Sequence, residues 1–242
     1  MSELKNIALL IDADNASAKG IDPVLNVMAE LGKVNIKRAY GNFAKPNLSN
    51  WEKYTHRYGL SPHQQFDITA GKNATDMAMT IDAIDLLYQG KVDGFGIMSS
   101  DSDFTPLVLR LRQEGMPVYG FGSTSKTPEA FRSACTRFID VDALIKGASD
   151  DNGGSGSDKP SSGETQDNDL DGLVELLGNA WKAAKRDENN FAALSEVGNI
   201  AGNRSSFDVR NYGFARLSDL IVSLDQFQIE RRDNQVYIKR LR

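Results

Sequence analysis

Near its start the chain reads Asn6-Ile7-Ala8-Leu9-Leu10-Ile11-Asp12-Ala13-Asp14-Asn15, which places an apolar run directly before two carboxylates and an amide. A short apolar run with polar boundaries is typical of a strand buried on both faces, as in a parallel α/β sheet. Acidic side chains at the carboxyl end of such a strand face the crevice in which open α/β sheets bind ligands. Asp12 and Asp14 are therefore the first candidates for chemistry.

A second stretch repeats this arrangement later in the chain. The sequence Val92-Asp93-Gly94-Phe95-Gly96-Ile97-Met98-Ser99-Ser100 reads as another buried strand, and it runs into Asp101-Ser102-Asp103. Because the carboxyl ends of parallel strands meet at one edge of the sheet, we expect these acids to lie near Asp12. Carboxylates delivered to one edge by two strands predict a site for a cation or for proton transfer.

Strand-like and helix-like segments alternate along residues 1–146, which predicts a right-handed parallel sheet with helices on both faces. The predicted strands cover residues 6–12, 34–40, 65–68, 92–100, 117–121 and 138–139. The first two predicted helices run from Asp22-Pro23 to Gly32 and from near Trp51 to Gly59. The third predicted helix carries Met77, Ile81, Ile84 and Tyr88 on one stripe. The fourth runs from near Asp103 to Gly115, and the fifth contains Phe131 and Cys135.

Asp76 falls in the first turn of the helix after the third predicted strand, at the same edge of the sheet as Asp12 and Asp101. Asp82 and Asp85 continue this helix, but about 100° of rotation per residue turns Asp82 roughly 240° away from Asp76. We therefore assign Asp76 to the site and give Asp82 and Asp85 solvated or salt-bridged roles.

Composition restricts the class of protein. The 242 residues suffice for one sizeable core and a small second domain. Cys135 is the only cysteine, which excludes an intrachain disulfide and a cysteine-rich zinc site and favours a reducing compartment. The apolar run that ends at Asp12 is too short for a signal sequence or a membrane span, so we expect a cytoplasmic protein with no membrane contact.

Residues 147–169 read as a flexible linker between two predicted domains, residues 1–146 and residues 170–242. The segment is rich in glycine and serine, and it holds six acidic residues and one lysine. This excess accounts for the whole net charge of −5. The acidic balance therefore does not exclude nucleic acid as a partner of either domain.

The first domain carries four motifs in a fixed order. They are Asp12-Ala13-Asp14-Asn15, Lys72-Asn73-Ala74-Thr75-Asp76, Ser99-Ser100-Asp101-Ser102-Asp103-Phe104 and Arg132-Ser133-Ala134-Cys135-Thr136-Arg137-Phe138-Ile139-Asp140. Together they resemble the NYN domain family of PIN-like nucleases, and its limkain/meiosis-arrest branch in particular. The resemblance implies a PIN-like sheet and metal-dependent RNA cleavage, with Asp12, Asp76, Asp101 and Asp103 at the family's acidic positions.

Phosphodiester hydrolysis independently favours a hard metal ion at these acids. The reaction needs a neutralised phosphate, an activated water and a stabilised leaving oxygen, and Mg²⁺ or Mn²⁺ supplies all three. Carboxylates and water are the ligands that these ions prefer. We expect Asp12, Asp76 and Asp101 to anchor the ion and Asp103 to assist. His56 and His63 are expected to be surface or packing residues.

Several polar residues near these acids allow two interpretations each. Asn15 holds the attacking water or a phosphate oxygen, or it caps the following helix. Asp14 and Asp103 belong to the site, or they merely cap helices. Lys72 meets the scissile phosphate or is an ordinary solvated lysine. We predict Asp14, Asn15 and Ser100 as supporting residues and Lys45 and Lys72 as RNA contacts.

The second domain reads as three helices and a two-stranded hairpin, which are the parts of a winged helix-turn-helix. The helices are predicted at residues 173–184, 194–201 and 217–224, and the strands at 228–230 and 236–238. The run Phe207-Asp208-Val209-Arg210-Asn211-Tyr212-Gly213-Phe214-Ala215-Arg216-Leu217-Ser218-Asp219-Leu220 resembles the LOTUS, or OST-HTH, domain, which implies RNA binding. LOTUS domains also bind proteins, so a protein partner stays open.

The predicted hairpin is the most basic element of the chain. Its residues Arg231, Arg232, Lys239 and Arg240 are predicted to contact RNA phosphates. The alternative is that they only keep an edge strand solvated.

Two functional hypotheses follow. The first is a Mg²⁺- or Mn²⁺-dependent endoribonuclease with an appended RNA-binding domain, in which a metal-activated water attacks phosphorus. The alternative is a non-catalytic RNA-binding or scaffolding regulator whose acidic site has lost turnover.

Overall fold

A computed structural model of the chain describes residues 4–66, 73–150, 166–232 and 235–241. The chain divides into two compact units, Met1–Ala148 and Ser149–Arg242. Each unit has hydrophobic core clusters of its own.

The first unit is built on a six-stranded parallel sheet with the order β3-β2-β1-β4-β5-β6. Its strands are β1 (Leu4–Asp12), β2 (Gly32–Gly41), β3 (Ser61–Gln64), β4 (Gly94–Met98), β5 (Val118–Gly122) and β6 (Arg137–Asp140). Its helices are α1 (Ile21–Leu31), α2 (Trp51–Tyr58), α3 (Ala74–Tyr88), α4 (Thr105–Gln113), α5 (Glu129–Ala134) and α6 (Val141–Asp150). This architecture confirms the predicted parallel sheet flanked by helices.

The central strand β1 separates two core clusters. Successive side chains of a strand point to opposite faces. Ala8 and Leu10 pack on the face covered by α3, α4 and α5, whereas Ile7, Leu9 and Ile11 pack on the face covered by α1 and α2. All five side chains are fully buried. A strand covered on both faces explains why its apolar run is unbroken.

The third strand lies earlier than the sequence predicted. It occupies Ser61–Gln64 rather than residues 65–68, of which residues 67–68 lie outside the described part of the chain. β3 is an edge strand that pairs with β2. An edge strand tolerates Pro62 and polar side chains because one of its sides makes no ladder hydrogen bonds. The apolar pattern that identifies buried strands is therefore missing here.

Helix α3 forms as predicted, but three of the four residues of its apolar stripe face solvent, and only Ile84 packs against the core. Met77, Ile81 and Tyr88 are 62%, 56% and 66% exposed. The helix instead buries the side that carries Met79, Ala83, Leu86 and Leu87. Both sides are apolar, so helical periodicity alone does not distinguish the buried side from the exposed one.

Asp82 has the structural role that the sequence predicted for it. Its carboxylate forms an ion pair with Arg38 of β2 and accepts a hydrogen bond from the Tyr40 hydroxyl. These contacts tie the middle of α3 to the sheet.

The second unit combines three helices with a small antiparallel sheet. The helices are α7 (Gln166–Ala183), α8 (Leu194–Arg204) and α9 (Leu217–Val222). The strands are β7 (Ala192–Ala193), β8 (Phe227–Arg232) and β9 (Gln235–Arg240), in the order β7-β9-β8. The predicted winged-helix arrangement is confirmed, but the sheet has a third strand. β7 was missed because two residues are too few to show alternation.

Both ends of the predicted linker are helical. α6 extends to Asp150 and α7 begins at Gln166, while residues 151–165 lie outside the described residues. α6 was not predicted, although Val141, Leu144 and Ile145 pack against the core that α1 and α2 cover. Across the described ranges, no helix is both long and apolar enough to cross a membrane.

Candidate active site

The strand order places β1 and β4 side by side where the direction of the chain across the sheet reverses. From β1 the chain moves outward to β2 and β3, and it then returns to β4 on the other side of β1. Such a switch point opens a crevice at the carboxyl ends of the two strands. Asp12 ends β1 and Asp101 follows β4, so the crevice lies between the two predicted acidic motifs.

The carboxylate of Asp12 is held by three hydrogen bonds in a fully buried position. The Ser99 hydroxyl and the Asn15 amide donate to Oδ2 at 2.7 and 2.9 Å, and the Asn15 backbone N–H donates to Oδ1 at 3.3 Å. Burial raises the pKa of Asp12 above its usual value, while the hydrogen bonds from Ser99 and Asn15 oppose the shift. A carboxylate has about four acceptor sites, so Asp12 keeps capacity for one more ligand.

Asn15 therefore acts on Asp12 rather than on the following helix. The turn Ala18–Gly20 has Ser17 at its N-cap position. Asn15 uses its backbone and its side chain to fix the Asp12 carboxylate. Asn15 therefore orients Asp12, a role that differs from both predicted alternatives, which were binding water or a phosphate oxygen and capping a helix.

Ser99 connects the two acid-bearing strands through one hydroxyl. Its Oγ donates to Asp12 and accepts a hydrogen bond from the Asp101 backbone N–H at 3.0 Å. The sequence predicted Ser100, not Ser99, as a supporting residue. Ser100 Oγ accepts from the Ser123 N–H at 3.1 Å and so supports the turn after β5. The alternation of side chains at the end of β4 was the available signal, because only one of two adjacent serines can face Asp12.

The first turn of α3 is attached to both acidic motifs. The Thr75 hydroxyl donates to Asp14 at 2.8 Å, and the Asn73 amide donates to Asp103 at 3.0 Å. Asp76 follows in the same turn. Neither Asn73 nor Thr75 was singled out from the sequence, although both belong to the motif that contains Asp76.

The helix-capping alternatives for Asp14 and Asp103 are not what the structure contains. Asp101 caps the short turn Ser102–Phe104, since its carboxylate accepts from the Asp103 N–H at 2.9 Å. Asp14 accepts from Thr75 and lies 3.8 Å from the Lys45 ammonium. Lys72, the other predicted RNA contact here, lies outside the described residues.

Asp76 reports how closely the acids converge. Its pKa is raised from 3.8 to about 6, first by burial and then by the negative charges of Asp12, Asp101, Asp103 and Asp14. The predicted acids from β1, α3 and the segment after β4 are thus near enough to repel one another. A cation relieves repulsion of this kind.

The acidic cluster, which consists of Asp12, Asp14, Asp76, Asp101 and Asp103, has donor groups that fit Mg²⁺ or Mn²⁺. Its nearest ligating groups are carboxylate oxygens, which these ions prefer. Within the described ranges, however, no three His, Cys, Asp or Glu side chains already form an arrangement that could hold a metal ion. Mg²⁺ commonly keeps several waters and uses one or two carboxylates, so the cluster suits a hydrated ion better than a closed cage.

The hairpin of β8 and β9, which we call the wing, has basic residues on both faces of its sheet. Arg231 and Arg240 pair across the sheet with Val236 and Phe227, on the face that carries Ile238. A side chain on Gly178 of α7 would collide with the Arg240 guanidinium, so Arg240 lies against α7.

The other face of the wing carries Lys239 and Arg232. Arg232 forms ion pairs with Asp187 and Glu230 and lies 5.0 Å from the ring centres of both Phe191 and Tyr237. Its charge is therefore already matched by two carboxylates. Among the predicted wing contacts, Arg231 is exposed, and Lys239 is partly exposed.

Two domain-family models match the chain. The NYN domain model matches residues 6–144, and the OST-HTH/LOTUS domain model matches residues 170–238. An uncharacterized protein of Methanocaldococcus jannaschii is 30% identical over 122 residues, which cover 48% of this chain and 47% of that protein. The chain thus spans about half the length of this curated relative. A solved protein of unknown function from Vibrio parahaemolyticus is 20% identical with a TM-score of 0.47, over 60% of this chain and 97% of that chain.

The NYN match covers more than half of the chain and contains every acid of the cluster. NYN domains are PIN-like and form a nuclease family, and OST-HTH/LOTUS domains bind RNA. The chain therefore belongs to the NYN family and carries an OST-HTH/LOTUS domain after its NYN domain.

Proposed function

We propose that the chain is a Mg²⁺- or Mn²⁺-dependent endoribonuclease whose OST-HTH/LOTUS domain binds RNA. The observation that carries the proposal is the convergence of Asp12, Asp76 and Asp101 at the crevice between β1 and β4, where burial and the neighbouring carboxylates raise the pKa of Asp76 to about 6. Converging acids at a ligand crevice are costly unless a cation or a proton compensates them, and such perturbed groups are typical of functional sites. Membership of a nuclease family supports the same reaction.

The acids would divide the work as the sequence suggested. Asp12, Asp76 and Asp101 would anchor the ion, and Asp103 would assist. Bound there, the ion would neutralise the phosphate and lower the pKa of the attacking water.

The surrounding residues would orient these acids. Ser99 and Asn15 fix the Asp12 carboxylate, so it does not have to reorganise when the ion binds. Asn73 holds Asp103 in the same way. The Lys45 ammonium lies 3.8 Å from Asp14, where it would meet a phosphate oxygen of RNA bound in the crevice.

Cleavage of end-labelled RNA tests the proposal. We expect Asp101→Asn to lower the rate by about 100-fold or more, because a metal ion contributes several kcal/mol and each ~1.4 kcal/mol is tenfold in rate. Asp85→Asn, which changes an exposed acid on α3, should cut RNA at the wild-type rate. Full activity in Asp101→Asn, or activity that EDTA does not reduce, would contradict the metal assignment.

A non-catalytic RNA-binding regulator is the second candidate. The observation in its favour is that no three candidate ligands in the described part of the chain already form a metal site. If this candidate is correct, the chain binds RNA but does not cut it at any Mg²⁺ or Mn²⁺ concentration. Asp101→Asn then binds RNA with the wild-type affinity.

A further inference from the structure

A pocket of about 560 Å³ opens beside α2, between the segment after β2 and the end of β3. Its apolar lining comes from Phe43, Leu48, Leu60 and Pro62. Small-molecule sites have volumes of about 300–1,000 Å³ and combine an apolar lining with a few polar groups. The pocket belongs to the first unit, and none of the acids described above lines it.

Two polar side chains of this pocket are available to a ligand. Glu52 and His56 lie one helical turn apart on α2, line the pocket and are exposed. Within the described residues, neither side chain has a hydrogen bond or an ion pair. Gln64 differs, because its amide accepts from the Phe43 N–H at 2.9 Å and donates to Asn42 at 2.8 Å. Gln64 therefore holds the wall of the pocket.

The pocket adjoins the acidic cluster across Gly41. A methyl group placed on Gly41 would lie 3.2 Å from the Leu48 side chain and 3.7 Å from the carboxyl carbon of Asp14. The segment that forms the pocket wall also carries Lys45, whose ammonium lies 3.8 Å from Asp14. A nucleic-acid strand whose phosphate meets Lys45 can therefore place a neighbouring base at the pocket.

We propose that this pocket binds a guanine base of the RNA beside the cleavage site, an inference that rests on the proposed function. The Glu52 carboxylate only accepts hydrogen bonds. Guanine alone among the four RNA bases presents two adjacent N–H donors on its Watson–Crick edge, at N1 and N2. An N–H of His56 supplies the donor for the guanine O6, and the base stacks on Phe43, the aromatic residue of the lining.

The other bases are rejected by the same carboxylate. Adenine and cytosine place a ring nitrogen acceptor next to their amino group, and this acceptor would face the Glu52 oxygens. Uracil flanks its single N–H with two carbonyl oxygens. Specificity would thus come from repulsion as well as attraction.

Titration of the full chain with guanosine and adenosine 5′-monophosphates in EDTA, followed by NMR, tests the assignment. We expect guanosine monophosphate to bind about tenfold more tightly or better, because a bidentate base contact discriminates by about that factor. Glu52→Gln should remove this preference, since the amide replaces an acceptor with a donor. Glu129→Gln changes an exposed acid outside the pocket and should retain it.

The outcomes separate this inference from the nuclease proposal, because the titration requires neither metal nor turnover. Equal affinity of wild type for the two nucleotides, or an unchanged preference in Glu52→Gln, would overturn the guanine pocket. Selective guanine binding by a chain that cuts no RNA would support the pocket and contradict the nuclease. Cleavage with no guanine bias near the cuts would overturn the pocket and leave the nuclease.

Discussion

Individual carboxylates in this protein differ mainly in what surrounds them. Asp12 is buried and held by donors, Asp76 is half-buried and faces other acids, and Asp85 is exposed. The same residue type is thus a buried carboxylate oriented by hydrogen bonds, a carboxylate repelled by its neighbours, and a solvated surface group. Environment decides which acid carries chemistry.

Asp76 makes the stability of the metal-free protein depend on pH. Its pKa is about 6 in the folded state against an ordinary 3.8, so the folded protein holds this proton more tightly than the unfolded chain. The stability that this group contributes is fully present below about pH 4 and is lost as the pH rises through about 6. We therefore expect Asp76→Asn to be more stable, relative to wild type, at pH 7 than at pH 4.

Thermal unfolding in EDTA across this pH range measures the effect. Asp85→Asn is the control, and its difference from wild type should show no such window. A difference between Asp76→Asn and wild type that stays the same at both ends of the range would show that the acids do not converge on Asp76.

At the residue scale, the sequence predicted that the acids meet at one edge of the sheet, but it did not predict the side chains that hold them. Asp12, Asp76, Asp101 and Asp103 follow from their positions at one edge of a parallel sheet. Ser99 could not be separated from Ser100 without the exact end of β4, and a shift of one residue exchanges their faces. Asn73 and Thr75 depend on tertiary contacts that no periodicity records.

Among the elements, α3 has the most demanding role, because it presents Asp76 to the site and Asp82 to the sheet. Asp82 pairs with Arg38 and Tyr40 in a partly buried position. We expect Asp82→Asn to lower the free energy of unfolding by about 1–3 kcal/mol, because hydrogen bonds to a charged group are lost.

Urea denaturation gives the stability, and RNA cleavage gives the site-specific contrast. Asp82→Asn should cut RNA like wild type under conditions where it is folded, unlike Asp101→Asn. A loss of cleavage in folded Asp82→Asn would mean that this side of α3 belongs to the active site after all.

The elements that sequence missed have a common physical cause. Buried strands such as β1 and β4 are recognisable by their apolar runs, because helices cover both faces of the sheet. β3 lies at an edge and β7 has two residues, so neither needs such a run. The apolar stripe of α3 identified the helix but not its buried side, because large apolar residues also occupy the exposed side.

On the scale of the whole molecule, the proposed function divides RNA recognition between the two units. We expect the double variant Arg231→Ala/Lys239→Ala in the full chain to bind RNA more weakly and with a flatter salt dependence. Each lost phosphate contact should reduce the slope of log K against log salt by about 0.7 for single-stranded RNA. Arg232→Ala should affect stability more than RNA affinity, because Asp187 and Glu230 already neutralise it.

Filter binding over a series of salt concentrations gives both slopes, with Lys91→Ala of the first unit as a control. A double variant with the wild-type slope would show that the wing does not contact phosphates. Protein recruitment would then be the better role for the OST-HTH/LOTUS domain.

In the proposed mechanism, a divalent ion is held by the acids at the ends of β1 and β4 and at the start of α3. Crystals soaked in Mn²⁺ and measured at the manganese absorption edge test it directly. We expect an anomalous peak within ligand distance of Asp12, Asp76 or Asp101, and no peak there in Asp101→Asn. A manganese peak at another site and none at these acids, in crystals whose protein cuts RNA, would contradict the metal assignment.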